Sequence, residues 1–402
     1  MKKNKLQIFI GLVLVFSLVL AGCTAAPTVA PTDAATEAPA DAETAAATES
    51  PVAAVDPLEA LAALEGQVFS TGPSGESPTA ASEVVLTEEE LAQIKDMNAT
   101  AAIVMHYAGN DWSNAQVAGL KAQFEEMGIE VVAVTDAGFK PEKQVSDIET
   151  VMAMKPNIIV SIPTDPVATS TAYKAAAAAG IKLVFMDNVP ADMVQGTDYV
   201  SVVSADNYGN GVAAAHLMAK SIGGEGKIGV IYHEADFFVT KQRYEAFVKT
   251  IKENYPNIEI VEEQGITGPD FAGDAEKAAS AMMTKNADLK GIWAVWDVPA
   301  EGVMAAARAM GRDADLVITT IDLGLNVAVE IAKGGMIKGL GAQRPFDQGV
   351  TEAILAGYGL LNKTAPAYVA LYMLPVDQQN VLEGWTTVYH ADPPAEISDA
   401  VK

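Results

Sequence analysis

From about residue 85 to the C-terminus, short apolar runs alternate with longer segments that carry the apolar period of a helix. Runs such as 101–105, 157–162 and 227–232 have the length and composition of buried strands. Repeated βα units predict parallel sheets with helices on both faces. The candidate strands are too numerous for one compact layer, so we expect an α/β fold with two doubly wound parallel-sheet lobes.

A (β/α)₈ barrel is the alternative that the same alternation allows. The connection between the candidate strands 181–186 and 199–203 argues against it. Its sequence, VPADMVQGTD, has the composition of a loop and leaves no room for a crossover helix. Two open-sheet lobes therefore remain the preferred architecture.

Residues 1–22 have the pattern of a bacterial export signal. Lysines at positions 2, 3 and 5 precede an apolar segment, 8–20, that is too short to span a membrane comfortably. It ends in Leu-Ala-Gly before Cys23, which resembles the lipobox, the motif where the signal is cut and the cysteine receives lipid. We expect an extracytoplasmic protein anchored to a membrane through Cys23. A plain signal peptide with an unrelated cysteine is the alternative.

Residues 23–84 are predicted to form a disordered linker between the lipid and the lobes. The segment is dominated by Ala, Thr, Pro and Glu, and such a composition buries too little apolar surface to offset the entropy of ordering. A brief helix over Leu58 to Leu64 is the one local exception. A glycosylated stalk is an equally good interpretation of the Thr and Pro content.

Composition excludes several classes of function. The chain has 26 basic and 52 acidic residues, a formal charge of −26, which disfavours nucleic acid as a partner. The single cysteine excludes an internal disulfide and a Cys-rich metal site. No phosphate-binding loop, nucleophile elbow or HExxH motif occurs. We therefore expect no enzyme, no cofactor and no metal. A glycosidase pair of Asp187 and Asp322 is the enzymatic alternative, since carboxylates that bind hydroxyls look the same in sequence.

Polar and aromatic side chains follow the candidate strands, at the sheet edge where open parallel sheets bind ligands. They include His106, Asn110, Asp111, Trp112, Asp187, Asn188, His233, Phe271, Trp296, Asp322 and Gln343, with Arg243 a little into the helix that follows His233. Each alone is explained as well by a helix cap, a turn or core packing. Together, carboxylates, amides and an arginine suit a ligand rich in hydroxyls, and the rings suit the C–H face of a sugar.

Several motifs, in the same order, resemble the ribose-binding group of type I periplasmic substrate-binding proteins of sugar ABC transporters. The similar stretches are IPTDP (162–166), FMDN (185–188), SADNYGNG (204–211), RYEAF (243–247), PDF (269–271), WDVPAEG (296–302), TIDLG (320–324) and GAQRPFDQG (341–349). The resemblance covers the chain from about residue 98 to its end.

The resemblance implies two lobes joined by three crossing segments, near 204–206, 343–345 and 375–376. The N-terminal lobe would hold 85–204 and 345–375, and the C-terminal lobe 205–344 and 376–402. The lobes would close on a sugar or polyol. The resemblance implies ligand contacts from Trp112, Asp187, Asn188, Arg243, Phe271, Trp296, Asp322 and Gln343. An ABC permease would receive the ligand from a monomeric binding protein. A component that presents its ligand to a chemotaxis or signalling receptor is the alternative.

The chain departs from the ribose pattern in three places. Ile162 stands where the group often has Asn, Asn188 where it often has Arg, and Trp296 where it often has Asn. Two polar contacts are lost and one indole is gained, so the identity of the sugar stays open. A repressor of the same fold would need an N-terminal helix-turn-helix, which residues 1–84 do not supply.

Overall fold

The computed structural model describes residues 54–401. The signal peptide 1–22, Cys23 and the linker up to residue 53 lie outside the described residues. The strands of the described part are β1 (Thr79–Ala80), β2 (Thr100–Met105), β3 (Glu130–Asp136), β4 (Ile158–Ser161), β5 (Lys182–Met186), β6 (Ser201–Ala205), β7 (Gly226–His233), β8 (Ile258–Ile266), β9 (Leu289–Ala294), β10 (Val317–Ile321), β11 (Ile337–Ala342), β12 (Tyr368–Leu371) and β13 (Leu374–Asp377).

Helices occupy most of the connections between these strands. They are α1 (Pro57–Ala63), α2 (Glu88–Asp96), α3 (Asp111–Glu126), α4 (Pro141–Ala153), α5 (Ser170–Ala178), α6 (Asn207–Ile222), α7 (Phe238–Asn254), α8 (Phe271–Lys285), α9 (Asp297–Ala309), α10 (Leu325–Ala332), α11 (Pro345–Leu361), α12 (Val381–Tyr389) and α13 (Ala395–Ser398). The β5–β6 connection carries no helix, as expected from its sequence.

The strands form two sheets, one in each lobe. The first has the order β1-β12-β6-β5-β4-β2-β3 and is parallel throughout. The second has the order β13-β11-β10-β9-β7-β8, and only its edge strand β13 is antiparallel. The prediction of two doubly wound lobes is confirmed.

The central strands are apolar runs because helices cover both faces of each sheet. Every residue of β4 and β6 is buried. Ile103 and Val160 in the first lobe, and Ile292 and Ile318 in the second, have no exposed surface. A strand that is buried on both faces has a continuous apolar sequence rather than an alternating one. These strands could therefore be predicted from the sequence.

The chain crosses between the lobes at three places: between β6 and α6, between β11 and α11, and between β12 and β13. The first two agree with the predicted crossings. The third was predicted at 375–376 and is wrong by a few residues. Leu374 and Pro375 already belong to the second sheet, because they pair with Ala342 and Gly341 of β11.

The linker prediction is wrong for residues 55–84, which we call the N-terminal strap. Helix α1 is capped by the Asp56 side chain, and the following Leu64 is buried against the second lobe and its crossing, beside Ala213 and Met373. Further along, β1 pairs with the edge strand β12 of the first lobe. A few apolar side chains therefore order a segment whose overall composition is that of a linker.

The strap is also fixed at the first crossing. The carboxylate of Asp206 accepts hydrogen bonds from the backbone N–H groups of Phe69 and Ser70, at 2.9 Å each, and from the Ser70 hydroxyl at 2.8 Å. Asp206 is fully buried. The strap thus contacts both lobes and the segment that joins them.

Candidate ligand-binding site

A cavity of about 250 Å³ lies between the two lobes, at the carboxyl ends of their strands. All of the predicted site residues except Asn188 line it. Asn188 is buried, and its side-chain amide donates to the carbonyl of Pro163 at 3.3 Å. We correct its assignment accordingly: the amide supports a neighbouring loop of the first lobe.

Asp187 directly follows β5 and has left-handed backbone, with φ 56°. Its Oδ1 accepts hydrogen bonds from the Ser204 hydroxyl at 2.7 Å and from the Gln348 amide at 3.4 Å. Burial raises the pKa of Asp187 to about 6, against the opposing effect of the Ser204 hydrogen bond. No protein hydrogen bond to Oδ2 is found within residues 54–401, so this oxygen is available to a ligand.

In the second lobe, three charged or polar side chains form a connected network. Asp322 directly follows β10, and its Oδ1 accepts a hydrogen bond from the Gln343 amide at 2.6 Å. Its Oδ2 lies 3.5 Å from Nη1 of Arg243, an ion pair whose side chains are only 9% and 5% exposed. Burial raises the pKa of Asp322, and Arg243 and Gln343 oppose that shift. The network is held ready before any ligand arrives.

Arg243 is itself held in place by two further acceptors. Helix α7 carries it, its Nε donates to Oδ1 of Asn207 at 2.8 Å, and its Nη1 donates to the carbonyl of Val295 at 3.3 Å. These contacts fix the planar guanidinium, which is suited to recognising oxygen acceptors. Its position is therefore determined by the fold.

Aromatic rings from both lobes surround these polar groups. Trp112 lies on α3 of the first lobe, while Phe271 begins α8 of the second and Trp296 directly precedes α9. The Phe271 and Trp296 rings meet edge to face at 4.9 Å. Both indoles predicted to line the cleft therefore do so, from opposite lobes.

The lining also includes rings that sequence reasoning did not assign to the site: His106, Tyr107, Phe139, His233 and Phe237. His106 and His233 are among the strand-end residues of the sequence, but the resemblance implies no ligand contact for either. Burial lowers the pKa of His106 to about 3 and that of His233 to about 4, so both are neutral at pH 7. Phe139 and Phe237 lie in loops and carried no comparable signal.

The lobes touch each other across the cleft. The backbone N–H of Leu325 in the second lobe donates to Oδ2 of Asp111 in the first at 2.8 Å. The rings of Phe139 and Phe271 are 5.7 Å apart, also from opposite lobes. These contacts hold the lobes in a closed arrangement, and the cavity between them is still partly open to solvent.

Two features are absent from residues 54–401. No group of three or more His, Cys, Asp or Glu side chains there is arranged to hold a metal ion. Within the same range, no helix has the length and apolar character needed to cross a membrane.

Comparison with known families decides the classification. Residues 101–363 match the model of the periplasmic binding protein domain. The chain belongs to this family. The periplasmic binding protein domain thus accounts for most of the two lobes, whereas the N-terminal strap precedes the matched residues.

Individual relatives of this periplasmic binding protein are distant. The ribose import binding protein of Bacillus subtilis is 26% identical over 198 residues, which is 48% of this chain and 61% of that protein. Its counterpart from Salmonella typhimurium is 25% identical over 266 residues, 64% of this chain and 85% of that one. A solute-binding protein from Agrobacterium vitis, solved with bound allitol, is 26% identical with a TM-score of 0.62 and covers 71% of this chain and 98% of its own.

Proposed function

We propose that this protein captures a sugar or polyol between its lobes and delivers it to an ABC permease. The observation that carries the proposal is the cleft itself. Two carboxylates, Asp187 and Asp322, and the guanidinium of Arg243 come from opposite lobes and face one cavity together with two indoles. Hydroxyl groups both donate and accept hydrogen bonds, so they match this set, and sugar C–H faces match the rings.

Capture works by a shift between open and closed arrangements. The lobes rotate about the three crossings, and a ligand that contacts both lobes binds the closed arrangement selectively. Such a ligand stabilises the arrangement in which Asp111 and Leu325 meet. The permease then recognises the closed surface of a monomer, and transport is driven by ATP hydrolysis on a separate subunit. We assign no catalytic step, cofactor or metal to this chain.

Relatives support this choice of ligand class. The relatives named above are ribose import binding proteins, and the Agrobacterium vitis structure holds allitol, a polyol. Membership of the periplasmic binding protein family supports a location outside the cytoplasm.

The test is calorimetric titration of the purified protein with a panel of monosaccharides and polyols, and with amino acids for comparison. We expect saturable binding of at least one sugar or polyol and no response to amino acids. X-ray scattering should show a smaller radius of gyration at saturation. A protein that binds amino acids and ignores every sugar and polyol would overturn the proposal.

We also propose that Cys23 carries the lipid that anchors the protein to the membrane. The support is the lipobox-like sequence and the absence of any other cysteine. Cys23→Ser should leave the signal uncleaved or release the protein into the soluble fraction, and should abolish incorporation of labelled fatty acid. Continued labelling of this variant would contradict the proposal.

A further inference from the structure

The lining of the cavity has a buried part and a half-buried part. Asp187, Arg243, Asp322 and Gln343 are between 3% and 7% exposed and form its polar floor. The half-buried rings form what we call the aromatic rim: Tyr107, Phe139, His233, Phe271 and Trp296. The rings of His106, Trp112 and Phe237 are also buried, at 8–9% exposure, so a ligand meets polar groups and rings in the interior and mainly ring faces in the half-buried part.

The aromatic rim is continuous across the two lobes. Phe139 stacks on Tyr107 at 5.0 Å within the first lobe and meets Phe271 of the second at 5.7 Å. Phe271 in turn contacts His233 at 5.6 Å and Trp296 at 4.9 Å. Since His233 is neutral at pH 7, the five rings themselves are uncharged, and the side chains of Asn110 and the exposed Asp270 line the cavity beside them.

The polar floor is small because its members already bind one another. Asp322 is occupied by Arg243 and Gln343, and Oδ1 of Asp187 by Ser204. Oδ2 of Asp187 and Nη2 of Arg243 make no hydrogen bond within residues 54–401. Oε1 of Gln343, Nε1 of Trp112 and Nδ1 of His106 are buried there without a partner, so these five atoms are the groups left for a ligand. One hydroxylated ring can use these groups, but hydroxyls placed at the rim would lose their hydrogen bonds to water without replacement.

We propose that the preferred ligand is a hydroxylated ring that carries an aromatic substituent, as in an aryl glycoside or a nucleoside. The sugar ring occupies the polar floor, and the substituent lies against Tyr107, Phe139 and Phe271. This inference rests on the proposed function and narrows its ligand class. Offset or edge-to-face contacts between the substituent and the rim rings contribute to affinity and exclude water from the opening of the cavity.

The experiment compares matched pairs of methyl and phenyl glycosides of the common pentoses and hexoses, in both anomers, by calorimetry. Adenosine and cytidine form a second arm that separates nucleosides from other aryl glycosides. We expect the phenyl glycoside of the preferred sugar, or a nucleoside, to bind at least tenfold more tightly than the matching methyl glycoside.

Two variants connect this preference to the rim. Phe139→Ala should remove most of the preference, and it should also weaken both glycosides by a smaller common factor, because the Phe139–Phe271 contact between the lobes is lost. Tyr107→Phe keeps the ring and should keep the preference. Thermal unfolding without ligand verifies that both variants fold.

Other outcomes overturn the inference. If methyl and phenyl glycosides bind equally well, the ligand is an unsubstituted sugar, and the proposed function stands without the inference. Equal weakening of both glycosides by Phe139→Ala would mean that the rim only holds the lobes together. If no glycoside, nucleoside or free sugar binds at all, the proposed function itself fails.

Discussion

Asp187 of the first lobe and Asp322 of the second occupy matching places. Each directly follows a strand, has left-handed backbone with φ of 56° and 71°, and lines the cavity. Their partners differ. Asp322 lies beside Arg243, whereas Asp187 accepts its hydrogen bonds from the uncharged Ser204 and Gln348. In the second lobe, Asp322, Arg243 and Gln343 therefore form a polar platform that is already arranged before a ligand binds. The first lobe contributes the Asp187 carboxylate, whose Oδ2 has no hydrogen-bond donor within residues 54–401.

The largest effect should come from breaking the platform. Arg243→Met leaves Asp322 buried without its cation, and we expect the free energy of unfolding to fall by about 3–5 kcal/mol. Arg308→Met is the matched control in the same lobe, because the Arg308 side chain is 55% exposed in its ion pair with Glu330. It should cost about 1 kcal/mol or less. Urea denaturation measures both, and equal losses would contradict the comparison.

A smaller effect separates the two aspartates. Asp187→Asn should weaken sugar binding by about 1–3 kcal/mol, because a charged acceptor for the ligand is lost, with little change in unfolding. Asp322→Asn should weaken binding by a similar amount and also destabilise the unliganded protein, since Arg243 then lacks its carboxylate. Calorimetry and denaturation of both variants test this contrast. If Asp187→Asn proves the more destabilising of the two, the roles are reversed.

The pH dependence of binding should also identify Asp187. Its pKa of about 6 means that the carboxylate is charged at pH 7 and protonated at pH 5. Donors from a bound ligand favour the charged form, so binding lowers this pKa and releases protons near pH 6. We expect affinity to fall by about tenfold from pH 7 to pH 5. Asp187→Asn should flatten the profile, and an unchanged profile in that variant would assign the titration to another group.

The fold was largely readable because its strands are buried on both faces. The predicted strands 101–105 and 157–162 matched β2 and β4 within a residue or two. Strand β1 was missed because it has only two residues. Strands β12 and β13 were missed because they follow one another in a single apolar stretch, 367–376, that gives no sign of where one strand ends. The N-terminal strap was missed for another reason. Its order comes from contacts such as Ser70 with Asp206, which the composition of the strap does not reveal.

The polar floor was predictable, and most of the aromatic rim was not. Asp187, Asp322 and Gln343 directly follow strands, so the topology of a parallel sheet brings them together. Phe139 and Phe237 reach the cavity from loops, and their placement depends on how the two lobes meet. Asn188 shows the limit of the strand-end rule, because its side chain turns to the Pro163 carbonyl although its neighbour Asp187 faces the cavity.

The smallest effect concerns the two indoles. Trp112 of the first lobe is 8% exposed and meets His106 edge to face at 6.1 Å, whereas Trp296 of the second is half-buried beside Phe271. Trp296→Phe keeps an aromatic ring at a half-buried position where neighbouring side chains can adjust. We therefore expect affinity to fall by about threefold or less, which corresponds to the loss of one weak ring contact. Trp112→Phe leaves a gap in a tightly packed wall and should cost about tenfold, near 1.4 kcal/mol. Calorimetry on the two variants, with tryptophan fluorescence as a second readout, measures the difference. A greater loss in Trp296→Phe would place the main stacking surface in the second lobe, together with the charged platform.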